Sequence, residues 1–362
     1  MSLLYTSVGG IKADVYTDIV QLVILWGGSL ACIVLLSGRT GSSSFPAAEA
    51  GRLAVFDFAS NGLTDGRTFS FWPMLIGGLF LYISYYGCDQ SQAQRLLATP
   101  DERSAARALA INGILRFLLV LTYCLVGLLA ILLLAKFPHF AARLQGQPPD
   151  YLIPYVFVEF VPRGLLGFMV AGVLAASMSS LDSAINSLSA VTWRDFLARI
   201  FPRLDRLTDS KKILASRGLT LFWGALAVAF ALSVAGGSET VIELVNKIGS
   251  AFYGPIAGVF VLGILNRRAE ERAAVAGLLA GVGLNLALWL FGSGTVSWMW
   301  WNLTGFLAVM AAGSAGGWAR NKGEKAAPAL KKHGRLAAIL FVWFVILMGV
   351  CVVLHLALDI DI

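Results

Sequence analysis

Charge is what this sequence has least of. Only 14% of its 362 residues are Asp, Glu, Lys or Arg, 57% are hydrophobic, and mean hydropathy is +0.75. A soluble domain carries about 25% charged residues. The deficit runs through the whole chain, so no large soluble domain is expected. Cysteine and histidine are scarce as well. Cys32, Cys88, Cys124 and Cys351 are scattered in or beside apolar stretches without a CxxC pair, and His139, His333 and His355 are isolated. That spacing excludes a disulfide framework and a zinc site. The alternation of apolar and polar residues that marks a membrane barrel is also missing. No signal peptide is read, because polar residues and a Gly9-Gly10 turn follow Met1 closely.

What is abundant is apolar runs. Runs of about 18 residues or more cross a hydrocarbon core as helices, since in lipid the backbone must satisfy its own hydrogen bonds. Nine spans are expected, near 16–37, 70–90, 108–135, 163–192, 215–235, 243–266, 272–292, 297–317 and 336–358. Segments 38–69 and 136–162 read as long connections and 318–335 as a basic loop. The net charge of +7 does not point to nucleic acid, because the basic residues sit in short loops between spans. With the N-terminus in the cytoplasm, 20 Lys and Arg fall in cytoplasmic loops and 6 in outer loops; Arg116 and Lys247 lie in or at the edge of spans. The positive-inside rule then predicts an external C-terminus and an odd number of spans. The expected class is an all-α polytopic protein forming one membrane domain over residues 1–362 of a cell (inner) membrane.

Charged and polar groups at membrane depth need a reason. Asp18 and Gln21, with Thr17, share a helix face near the start of the first span. They are either a helix N-terminal cluster favoured by the macrodipole or part of a site. The run from Tyr85 to Arg95, with Gly87-Cys88-Asp89-Gln90 at its centre, ends an apolar half-span. It is either a helix end or a discontinuous helix whose opened backbone lines a cavity. Arg116 stands among apolar neighbours. It pairs with Asp89, meets the solute, or snorkels to the cytoplasmic face. In Ala175–Ser187, the residues Ala176, Ser179, Ser180 and Ser183 recur at helical spacing, with Asp182 and Asn186 beside them. Close helix packing explains the small residues. It does not explain the acid, whereas hydroxyl and carboxylate oxygens suit a small hard cation. Glu243 and Lys247 are spaced as an i, i+4 pair, with Asn246 beside them and a kinking Pro255 downstream.

At these residues the chain resembles the sodium:solute symporter family, to which the sodium/glucose cotransporters belong. The matching stretches are Tyr5–Ala13 leading to Thr17-Asp18 and Gln21, then Gly87-Cys88-Asp89-Gln90 with Gln94-Arg95, then Gly164–Ser187, then Tyr253-Gly254-Pro255-Ile256-Ala257-Gly258-Val259-Phe260. The resemblance implies a five-plus-five inverted-repeat fold working by alternating access. Residues 1–266 would be core helices five to ten and 267–362 three peripheral helices. It implies sodium as the coupling ion, with no other metal and no cofactor. The ion site would be Ala176, Ser179 and Ser180, with Asp18 and Asp182 joining a second cation site. Solute-facing positions would be Asp89, Gln90, Arg116 and Asn246, and these depart from the sugar-transporter pattern. The resemblance begins at the fifth core helix. The expectation is therefore a C-terminal portion, with a missing N-terminal segment supplying the rest of the site.

The function read from this is sodium-coupled symport of a small organic solute, a sugar, polyol or organic acid. The rival is an incomplete, non-transporting fragment or membrane scaffold of the same fold. An enzyme is not expected, since neither a metal cluster nor a nucleophile–base set appears.

Overall fold

The computed structural model describes residues 2–41, 56–234, 240–266, 270–292, 294–317 and 334–357. The expected basic loop 318–335 lies almost wholly outside them. Thirteen α-helices follow one another among the described residues, with no strand. They are α1 (Ser2–Thr40), α2 (Gly78–Cys88, entered through a π-helical turn Pro73–Gly77), α3 (Gln90–Leu97), α4 (Glu102–Lys136), α5 (Pro138–Leu144), α6 (Leu152–Phe160) and α7 (Arg163–Val191). A π-helical turn, Thr192–Leu197, leads into the short α8 (Ala198–Ile200). Then come α9 (Asp209–Val234), α10 (Val241–Leu265), α11 (Glu271–Gly292), α12 (Trp301–Gly317) and α13 (Gly334–Ala357).

The protein is an all-α polytopic membrane protein. Among the described residues, seven helices are long and apolar enough to cross a bilayer. The two other expected spans fall on the shorter Pro73–Cys88 segment and on α12, which has 17 residues. Large apolar side chains such as Val34, Leu279 and Phe291 are exposed, as a surface solvated by lipid requires. One local expectation is corrected. Gly9-Gly10 is not a turn, since α1 runs through it from Ser2; two glycines cost a helix about 2 kcal/mol, which a long helix can carry.

The chain forms two compact units, one of residues 1–46 and 115–240, the other of residues 47–114 and 241–362. In the first, Cys32 and Leu36 of α1, Ala130 and Leu133 of α4, Phe140 of α5 and Val156 of α6 make a buried core. Lys136 donates to the carbonyls of Arg39 (2.9 Å) and Thr40 (3.0 Å) and so closes the C-terminus of α1. Arg143 on α5 pairs with Glu159 on α6 at 2.5 Å.

In the second unit α10, α11 and α12 pack through glycine. Gly254 and Gly258 on α10, and Gly277 and Gly281 on α11, are each four apart, the small-residue spacing of close membrane-helix contacts. A Cβ on Gly281 would lie 2.7 Å from the Gly305 carbonyl oxygen, and one on Gly305 2.6 Å from Pro255 Cδ. A Cβ on Gly254 would overlap the Asn302 carbonyl. The segment before α2 is stapled to the turn before α12. Gly66 N–H donates to Thr295 O (2.9 Å), Ser297 N–H to Gly62 O (2.7 Å) and Trp300 Nε1 to Asn61 O (2.8 Å). Gly62 and Gly66 hold φ of +66° and +65° there, which glycine adopts without strain.

Candidate ion and solute site

In the first unit α1 and α7 cross at glycine. A Cβ on Gly172 would meet Leu25 Cα at 3.5 Å, and one on Gly28 would meet Met169 Cγ at 3.7 Å. Gly28 opposes Met169 while Leu25 opposes Gly172, so the helices run antiparallel. Beside the crossing lies a small apolar notch, lined among others by Ile24, Gly28, Phe157 and Val173. Ser29, also on its wall, donates back to Leu25 O at 2.9 Å. Both helices rise about 1.5 Å per residue. Followed away from the crossing, they bring Thr17, Asp18 and Gln21 level with Ala176–Ser180.

The predicted stripe on α7 is divided. Ser183 and Ser187 are buried and Ala176 is half-buried, whereas Ser180 is exposed. Ser179 and Asp182 lie on α7, with side chains outside the described ones. Asp18 is half-buried on α1. Gln21 Oε1 is buried and accepts no hydrogen bond among the described residues, leaving a neutral oxygen donor at this level. Helix α7 holds these residues near its middle because it is free of proline from Arg163 to Val191; Pro162 sets its start in an extended conformation.

In the second unit, of the two readings of the Tyr85–Arg95 run, the helix break is the one present. α2 stops at Cys88, Asp89 is extended (φ −70°, ψ 129°), and α3 begins at Gln90. The Asp89 side chain makes the break stable. Its Oδ1 accepts from the backbone N–H of Ser91 (2.9 Å) and Gln92 (3.2 Å) and from the Ser91 hydroxyl, the arrangement of an N-cap. Gln92 Nε2 donates to Tyr85 Oη at 3.0 Å across the break. Tyr253 of α10 lies within electrostatic reach of both Asp89 and Tyr85. Its ring covers Gly249, where a Cβ would stand 2.9 Å from Tyr253 Cζ. In the sequence this contact has a readable signal, an aromatic four residues after a glycine in an apolar helix.

The remaining positions expected to face a solute are less convergent. Gln90 is exposed at the start of α3. Asn246 turns back on its own helix, donating to Ile242 O at 2.7 Å. Its neighbour Lys247 holds its ammonium 5.8 Å from the Trp289 ring centroid, within cation–π range. Arg116 is exposed on α4 in the first unit, and Asp89 belongs to the second.

Known proteins resemble the chain along most of its length. It is 34% identical over 289 residues to sodium-coupled monocarboxylate transporter 2 of Bos taurus, covering 77% of this chain and 45% of that protein. It is 32% identical over 295 residues to the sodium/iodide cotransporter of Homo sapiens, covering 79% and 44%. It is 30% identical over 298 residues to the sodium-dependent multivitamin transporter of Oryctolagus cuniculus, again covering 79% and 44%. The chain thus spans less than half the length of the curated relatives it matches. These relatives are transporters, not enzymes. The model of the sodium:solute symporter family matches residues 1–281, and with that match the chain belongs to the sodium:solute symporter family.

Proposed function

We propose that the chain is the ion- and solute-handling part of a sodium-coupled symporter for a small anionic solute, a monocarboxylate being the best candidate. The observation that carries the reading is the oxygen-rich stretch of α7, level with Asp18 and Gln21 of α1, on a face where Ser180 stays open rather than packed. In this reading Ala176, Ser179 and Ser180 bind the coupling sodium, with Asp18 and Asp182 contributing carboxylate oxygen. The family match and the sodium-coupled relatives support the ion. The monocarboxylate and iodide named for two of those relatives support the anion.

Arg116 receives the solute carboxylate as a guanidinium fork suited to two oxygens. Asp89 keeps the helix break open, and Gln90 and Asn246 line the path. Residues 1–266 act as core helices five to ten of a five-plus-five repeat and 267–362 as peripheral helices. Sequence beyond residues 1–362 completes the ion site, a reading supported by the length of the relatives. The protein sits in the cell membrane with its N-terminus cytoplasmic and its C-terminus external, as the loop charges favour. Sodium binding favours one conformational state and thereby raises affinity for the solute, a coupling that is reciprocal.

The test is uptake of a radiolabelled monocarboxylate by cells expressing the protein, with and without sodium. Uptake should need sodium, and Ser180→Ala should raise the half-activating sodium concentration about tenfold, equivalent to about 1.4 kcal/mol of lost ion binding. Uptake indifferent to sodium, or to that substitution, refutes the reading.

A further inference from the structure

Proline in a membrane helix leaves a carbonyl four residues back without its donor, and in lipid some neighbouring group has to replace it. In α10 the proline is Pro255, and the carbonyl it abandons is that of Ala251. Asn285 of α11 supplies the donor. Its Nδ2 lies 3.1 Å from Ala251 O, 2.9 Å from Trp301 O at the start of α12 and 3.4 Å from Ser250 O. Its Oδ1 accepts from Thr304 Oγ1 at 3.1 Å, so the amide is engaged at both ends. Asn285 and Pro255 are both fully buried. The space for the amide exists because position 305 is glycine, where a Cβ would lie 2.5 Å from Asn285 Nδ2.

We propose that Asn285 is a positioning residue for solute binding: it stands in for the amide proton that Pro255 lacks and so fixes the N-terminal half of α10. The inference rests on the proposed role of that half, which carries Asn246, in the solute path. Asn285 does not touch Asn246 and acts through the Ala251 carbonyl. The link predicts a dependence of one position on the other. Where residue 255 has its own N–H, Ala251 O regains a main-chain donor and the amide becomes dispensable.

The test is a cycle of wild type, Asn285→Leu, Pro255→Ala and the double variant, read twice. The first readout is the melting temperature of purified protein, which needs no transport. The second is the half-saturating concentration for sodium-driven uptake of radiolabelled propanoate. Asn285→Leu should raise that concentration about tenfold with the maximal rate per surface molecule changed less than about twofold; in the Pro255→Ala background the same change should shift it by less than about twofold. A purely structural role would lower the maximal rate with the amount of folded protein and leave half-saturation alone. Should Asn285→Leu yield no folded protein, Asn285→Thr, which is small and lacks the amide, completes the cycle. Equal effects in both backgrounds overturn the link. Coupled melting temperatures with no uptake by wild type keep the link and condemn the transport reading.

Discussion

Replacing Gly254 by alanine puts a methyl group where α10 and α12 already touch. The new Cβ would lie 2.7 Å from the Asn302 carbonyl carbon and 2.8 Å from its Cα, where ordinary contact begins at 3.4 Å. The obstacle is backbone, so no side chain can swing aside. The helices must part by at least about 0.7 Å, the difference between those distances. That shift lengthens the buried bond from Asn302 Nδ2 to Ser250 Oγ, now 3.0 Å, beyond hydrogen-bonding range. It also strains the 2.9 Å bond from Asn285 to Trp301 O. Overpacking and the lost bonds together cost about 2–5 kcal/mol. The assay is thermal unfolding in detergent followed by tryptophan fluorescence, since Trp298 and Trp301 are buried beside this contact. Gly254→Ala should lower the melting temperature by more than about 5 °C. Gly263→Ala, on the same helix with nothing within 4 Å, is the control; it should be neutral or slightly stabilising, since alanine is the better helix former. The reasoning fails if Gly254→Ala melts with the wild type, or if Gly263→Ala is equally damaging.

Two further outcomes test the helix ends. Lys136→Met should loosen the last turn of α1, whose Arg39 and Thr40 carbonyls lose their donor, by about 0.5–1 kcal/mol; amide exchange across Val34–Thr40 should speed up, and unchanged exchange would discount the cap. Asp101 starts α4 by accepting the Ser104 N–H at 2.7 Å, and this bond chiefly holds its carboxyl below the ordinary aspartate value. A depressed folded value means that its stabilisation is present above about pH 4 and fades as pH falls through the folded value. The gap in melting temperature between wild type and Asp101→Ala should therefore narrow from pH 6 to pH 3, and a gap that widens on acidification would contradict the assignment.

The helices were legible because lipid imposes one solution on long apolar runs, and the break before Gln90 because glycine, aspartate and a polar run interrupt one of them. The helix trio was half legible. Gly254-x-x-x-Gly258 and Gly277-x-x-x-Gly281 stand in the sequence, but which helices they join does not. Asn285 carries no such signal, being a single uncharged side chain in an apolar run. Its meaning lies with Pro255, 30 residues upstream and on another helix. At the site, the resemblance singled out the serines, yet periodicity joined Ser180 and Ser183 in one stripe that packing divides. The bond from Asn246 to Ile242 O is a local one that the residue pattern does not signal.

The staple between Asn61–Thr68 and Thr295–Trp300 bears on how the protein is made. Its partners are separated by 229 residues for Thr68 and Ser297, and by 239 for Asn61 and Trp300. During synthesis the start of α2 leaves the ribosome long before the turn that anchors it. The α2 segment must wait through the synthesis of α4, α7, α9, α10 and α11 until the Ser297–Trp300 turn arrives. A nascent chain arrested before residue 297 therefore carries an α2 that lacks this staple.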